Sequence, residues 1–221
     1  MDIMQAMKER HSVRQYTDRP IDSQVINALQ AEIDNCNKQA DLHIQLVTNE
    51  PKAFDSFMAH YGKFSGVKNY IALVGKKSGK LDELCGYYGE HLVLKAQQLG
   101  LNTCWVAMSY KKIPGVFQVT KGEKLTVVIA LGYGQNQGLP HKSKSAEAVS
   151  NITDDSPEWF RSGVEAALLA PTAMNQQKFT LTCKDNKVSA VAGLGFYAKL
   201  DLGIVKYHFE LGAGKENFEW I

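Results

Sequence analysis

Five consecutive residues near the N-terminus, Arg10-His11-Ser12-Val13-Arg14, place two guanidinium groups, a hydroxyl and an imidazole in one short stretch. An extended backbone alternates its side chains, so Arg10, Ser12 and Arg14 share one face there. Two guanidiniums and a hydroxyl on one face suit a phosphate, because each guanidinium fork matches two phosphate oxygens. The plain alternative is that Lys8 and Arg10 complement the carboxyl end of a preceding helix while Arg14 is solvated. A second basic pair, Lys142 and Lys144 in Pro140-His-Lys-Ser-Lys144, again sets two cations around a hydroxyl, and by itself reads equally well as a solvated loop. A third segment, Ala170-Pro-Thr-Ala-Met-Asn-Gln-Gln177, offers Thr172, Asn175 and Gln177 as uncharged hydrogen-bonding groups. These suit sugar hydroxyls or the edge of a heterocycle, or else cap the backbone of a turn. Together the two basic clusters are of a size to close on one phosphate.

The elements that must position these groups follow from apolar spacing and helix punctuation. A short helix is expected over 2–10, capped by Asp2, and an amphipathic one over 23–36, with Val25, Ile26, Leu29 and Ile33 on one side. Strands are expected over 42–47, 70–74, 103–106 and 124–131, a short helix over 51–61, and a long helix over 80–99 stopped by Gly100. Residues 134–155 have no period and read as a long loop. Ser156-Pro157-Glu158 opens a helix running to about Leu169, two strands (178–184 and 187–192) form a hairpin across Asp185-Asn186, and a last helix spans 201–212. The order helix–Asn-x-Gln–strand occurs twice, at Asn37-Lys-Gln39 and Asn175-Gln-Gln177, which suggests an internal duplication.

The chain has 221 residues, 44% of them hydrophobic, with 25 Lys and Arg against 23 Asp and Glu. That supply of apolar side chains supports one large domain or two small ones and excludes an intrinsically disordered chain. The net charge of +2 argues against a dedicated nucleic-acid binder. The apolar runs fall short of the roughly 20 residues of a membrane-spanning helix, and the first ten residues are too charged for a signal peptide. The four cysteines have no C-x-x-C spacing, so neither a zinc motif nor a disulfide scaffold is expected, and a cytoplasmic setting is.

Taken together, the three segments resemble the FMN-dependent nitroreductase family over most of the chain. Arg10, Ser12 and Arg14, with His11 between them, match the family's N-terminal Arg-x-Ser-x-Arg/Lys segment, and Leu99-Gly-Leu-Asn-Thr-Cys-Trp105 is similar to its Leu-Gly-Leu-x-Thr-Cys-Trp. Gly132-Tyr133 with Lys142-Ser143-Lys144 resembles its late strand end and phosphate contact, and Ala170 to Gln177 its Ala-Pro-Ser-x-x-Asn-x-Gln signature. The order departs from the usual one. That signature ordinarily follows the second helix, where this chain has Asn35-Cys-Asn-Lys-Gln-Ala40, and Lys178-Phe179 replaces Pro-Trp. The arrangement is similar to the subgroup in which two family-like halves occupy one chain.

The resemblance implies an α+β fold, a mainly antiparallel sheet sandwiched by helices, with an internal pseudo-two-fold duplication as a hypothesis. It implies an FMN-binding lobe over 1–150 and a second lobe over 151–221 that completes the site, as a pseudo-dimeric monomer or as a homodimer. It implies hydride transfer from NAD(P)H through FMN to a small-molecule acceptor such as a nitroaromatic or a quinone, or alternatively a flavin-binding sensor or carrier. Arg10, Lys142, Lys144 and Ser12 would hold the phosphate and Arg14 the pyrimidine edge. Val106, Ala107 and Met108 would run beside the reactive ring, and Pro171, Thr172, Asn175 and Gln177 would line it. No catalytic side chain and no metal are expected, because a flavin carries the chemistry itself. No Gly-x-Gly-x-x-Gly fingerprint stands in the sequence to suggest a separate nicotinamide domain.

Overall fold

Asp2 starts the first helix, α1 (Ile3–Glu9), by accepting the Gln5 backbone N–H at 2.8 Å, as its position before an apolar-periodic stretch predicts. In the computed structural model, which describes residues 1–221, the chain forms two compact units. The first comprises residues 1–81 and 91–139, the second residues 82–90 and 140–221.

In the first unit α2 (Ser23–Ala40) runs four residues past the expected end, since nothing in Asn37-Lys-Gln-Ala40 breaks a helix, and stops where Asp41 turns left-handed at φ 51°. Four strands, β1 (Gln45–Val47), β2 (Asn69–Lys76), β3 (Asn102–Val106) and β4 (Glu123–Gly132), form one sheet in the order β1-β2-β4-β3, every pair antiparallel. β1 is shorter than expected for a local reason. The Asn37 side chain donates to Ile44 O and accepts from Ile44 N, so Ile44 has neither group left for the ladder. The predicted 51–61 helix is broken as well. Glu50 caps a 3₁₀ turn over Lys52–Phe54, and Ser56 then opens a separate α3 (Phe57–Tyr61) by accepting Ala59 N–H.

The central strands β2 and β4 are apolar at consecutive positions because both faces of the sheet are covered. Tyr70, Ala72, Val74, Val128, Ala130, Cys104 and Val106 pack in one cluster with Val13, Phe54 and Phe64. The intervening Ile71, Leu73, Ile129 and Leu131 are buried too. α4 (Leu81–Gln98) is stopped by Gly100 at φ 80°, as expected, and its second half, with Leu92, Val93, Leu94 and Ala96 buried, belongs to this unit.

The second unit holds Asp82–Glu90 of α4, α5 (Glu158–Ala167), α6 (Ala198–Ala213) and a sheet β5-β6-β7. β5 (Phe179–Lys184) and β6 (Lys187–Ala192) form the expected hairpin. Asp185 and Asn186 take φ 50° and 59°, the double left-handed turn that matches strand twist. β7 (Glu219–Trp220), not foreseen, pairs parallel with β6. α6 begins three residues before the expected start. It crosses α4 with backbones in contact: a Cβ at Gly86 would sit 2.0 Å from Leu200 O, and one at Gly203 would sit 2.0 Å from Glu83 O. Beside this crossing His208, fully buried, bonds Ala166 O through Nδ1 and Glu90 Oε1 through Nε2, at 3.1 and 2.9 Å.

Candidate functional site

Arg10 is the C-cap of α1 and already extended at φ −69° and ψ 115°, so the chain leaves the helix as a strand. Ser12 forms a parallel bridge with Thr103, and Val13 N donates to Thr103 O at 3.0 Å, adding this segment alongside edge strand β3. Val13 and Tyr16 are its anchors. Both are buried, and the Tyr16 hydroxyl donates to Val13 O at 2.7 Å, with Ala130 O at 3.3 Å. Burial holds that phenol well above its ordinary value.

The remaining side chains of the segment differ in exposure. Burial pushes the Cys104 thiol up, while Arg14, a hydrogen bond from Ser12 and Arg10 all act in the opposite direction. Arg10 is buried, Ser12 half-buried and Arg14 exposed, with the Arg14 guanidinium 6.0 Å from the centre of the Phe64 ring. His11, half-buried, packs against Gly138, whose φ of +73° no side chain would favour. Along β3, Val106 is buried and ends the strand, Ala107 is half-buried and Met108 is exposed.

In the second unit the basic loop and the Ala170–Gln177 segment are tied to each other. The Lys144 ammonium donates to Gln177 O at 2.8 Å, and Lys144 N donates to Gln177 Oε1 at 2.9 Å. Gln177 Nε2 donates to Lys142 O and to Asn175 Oδ1, and Asn175 Nδ2 also donates to Lys142 O. The buried Gln177 amide is therefore spent on shaping the loop, as is Thr172 Oγ1, which accepts Gln177 N–H. Lys142 is exposed, and Pro171 is half-buried just before the turn.

Met174, Asn175 and Gln177 take φ values of 51°, 52° and 44°, conformations costing about 1 kcal/mol or more each away from glycine. Asp201, in the first turn of α6, holds this strained turn. It accepts Ala173 N–H at 3.0 and 3.1 Å and Gln176 Nε2–H at 2.7 Å. Burial lifts its carboxyl to about 6, against the pull of those two donors. Neither Cys104 nor Asp201 was expected among the site residues. Cys104 stands inside the quoted Leu-Gly-Leu-Asn-Thr-Cys-Trp run and could have been found there, whereas Asp201 carries no local signal.

The structure thus gathers Arg10, Ser12 and Arg14 in one unit, and Lys142, Lys144, Thr172, Asn175 and Gln177 in the other. In the first unit, two guanidinium forks and a hydroxyl are donors that suit a phosphate.

The chain belongs to the nitroreductase family described as "Putative TM nitroreductase", whose model matches residues 2–213. Its fold is shared with the crystal structure of a "putative nitroreductase" from Thermotoga maritima, 22% identical, covering 99% of this chain and 87% of that one at a TM-score of 0.70. A second similar structure, from Desulfovibrio desulfuricans and in complex with FMN, is 16% identical and covers 71% of this chain and 99% of its own, at a TM-score of 0.54. A third, a "Putative NADH dehydrogenase/NAD(P)H nitroreductase" from Bacteroides thetaiotaomicron, is 20% identical over 66% of this chain and 95% of its own, at 0.52. None of the curated proteins matches the sequence. The expected α+β class and the family resemblance are both borne out, and no helix is long and apolar enough to cross a membrane.

Proposed function

We propose that this protein is an FMN-dependent oxidoreductase that passes reducing equivalents from NAD(P)H to a nitroaromatic or quinone-type acceptor. The observation that carries this reading is the placement of Arg10, Ser12 and Arg14 on one extended segment paired with β3 at Thr103, in a chain of the nitroreductase family. When bound, FMN would supply the hydride chemistry; the protein binds, orients and excludes water. Arg10 and Ser12 would take phosphate oxygens. Arg14 would supply positive charge where negative charge grows on reduction. Val106, Ala107 and Met108, where β3 ends, would line the ring with backbone groups.

From the second unit, Lys142 and Lys144 carry the same phosphate chemistry, and Pro171, Thr172 and Asn175 a neutral lining, so they are proposed as FMN contacts on the resemblance. Gln177 would act as a positioning residue, since its amide is already committed. In this reading the electron acceptor and NAD(P)H use one site in turn, giving ping-pong kinetics, and the second unit stands in for a partner subunit.

Arg14→Ala tests the reading at its exposed end. A charge-assisted contact is worth about 1.5–3 kcal/mol, so the Kd for FMN should rise about 10- to 100-fold in fluorescence titrations. An unchanged Kd removes Arg14 from the site.

A further inference from the structure

Glu32 and Cys36 stand one helical turn apart on α2, and His91 stands on α4 in the same unit. A separation of four residues puts the two α2 side chains on one face. One ligand-type atom from each of the three residues, a carboxylate oxygen, a thiol sulfur and an imidazole nitrogen, lies within 4.8 Å of the other two. His91 Nε2 and Glu32 Oε1 are already 2.8 Å apart. The sequence gives no hint of this cluster, because a Cys36-to-His91 interval matches no metal-binding spacing.

We propose that Glu32, Cys36 and His91 form a binding site for one divalent transition-metal ion of the zinc type, with a fourth position open to solvent. The donor set decides the class of ion. Thiolate and imidazole select zinc-like ions, whereas magnesium and calcium demand oxygen ligands throughout. Tetrahedral coordination at about 2.0–2.3 Å sets ligand atoms roughly 3.3–3.8 Å apart, so the Glu32–His91 pair must open by about 0.5 Å and atoms up to 4.8 Å apart must close by about 1 Å or more.

Access is graded to match. Cys36 is buried at 2% exposure, which holds it as a thiol until a cation binds, while Glu32 and His91 keep side-chain exposures of 23% and 33%. The cluster therefore reaches the surface on its Glu32 and His91 side. Cys36 is not committed to a disulfide. Lys95 Nζ lies 4.0 Å from Glu32 Oε2, so Oε1, the oxygen nearer His91, is the ligating one. Binding releases the Cys36 thiol proton, and the imidazole carries its proton at Nδ1.

The test is a titration of the full-length chain, stripped with a chelator, with Co²⁺ alone. The expected result is one ion per chain, with a tetrahedral visible spectrum and a thiolate-to-cobalt charge-transfer band in the near ultraviolet that Zn²⁺ abolishes. Cys36→Ser should lose that band, whereas Cys183→Ser should keep it. Glu32→Gln is a partly exposed, isosteric change that leaves the helix intact, and it should weaken Co²⁺ binding at least about 10-fold. A spectrum without the charge-transfer band, a band that survives Cys36→Ser in a folded protein, or unaltered affinity in Glu32→Gln overturns the site. The last result would leave Glu32–His91 as a tie between two helices. None of these readouts involves flavin, so the site and the flavin reading stand or fall separately.

Discussion

Asp201→Asn separates two things that the buried Asp201 carboxyl does at once. The residue is 3% exposed and holds Ala173 N–H and Gln176 Nε2–H, and burial lifts its titration from the usual 3.8 to about 6. The folded chain therefore binds more protons than the unfolded chain between those values. Stability must fall as pH rises through that window and level off above about pH 6. At 1.36 kcal/mol per tenfold change in proton affinity, the ionised carboxylate costs on the order of 3 kcal/mol at neutral pH. Asparagine copies the shape of the neutral acid, so it removes the slope. Urea unfolding of both proteins, compared at equal m-value, should show the variant more stable by about 2 kcal/mol near pH 7, the relieved charge less the bond lost to Gln176. That difference should shrink as pH falls and reverse by about 1 kcal/mol near pH 4, where only the bond lost to Gln176 remains. The same substitution sets a carboxamide N–H₂ against the Gln176 donor, so the strained turn loses a clamp and FMN should bind more weakly, by about 10-fold for one lost bond. A stability difference that does not change with pH would refute the reasoning.

Three further changes probe the packing of α6 in the second unit, with Gly79→Ala as the control. Gly203→Ala would place a methyl 2.0 Å from Glu83 O and 2.6 Å from Tyr87 N, both backbone atoms, so α6 must move off α4. The loss should be about 2 kcal/mol or more in urea unfolding, despite a gain of about 1 kcal/mol in helix propensity. Gly79→Ala, with nothing within 4 Å of its Cβ, should change stability by less than about 0.5 kcal/mol, and a comparable loss there would undo the packing argument. Glu90→Ala strips the carboxylate from fully buried His208 Nε2 and should cost about 3 kcal/mol, read from the same unfolding curves.

What could be read from the sequence was what depends on near neighbours. Asp2 and Gly100 mark helix ends, Asp185-Asn186 marks a hairpin, and unbroken apolar runs mark β2 and β4, because each signal acts within a few residues. What escaped depends on partners brought together by folding. Asn37 interrupts a strand seven residues away by consuming both polar groups of Ile44. The Asn-x-Gln repeat likewise hides two different conformations, since Asn37 is helical within α2 while Asn175 sits in a left-handed turn. In the candidate site the residue types of Arg10, Ser12 and Arg14 and the extended segment that carries them could be read from the sequence. Their influence on Cys104, the internal commitment of Gln177 and the clamp by Asp201 could not, because each crosses from one element to another.

The proposal of flavin-mediated reduction is tested most directly by anaerobic addition of NAD(P)H to the FMN-loaded protein. The visible flavin band should bleach and then return on addition of a nitroaromatic or quinone. A protein that takes up no FMN, or bound FMN that stays oxidised in excess NAD(P)H, would contradict it.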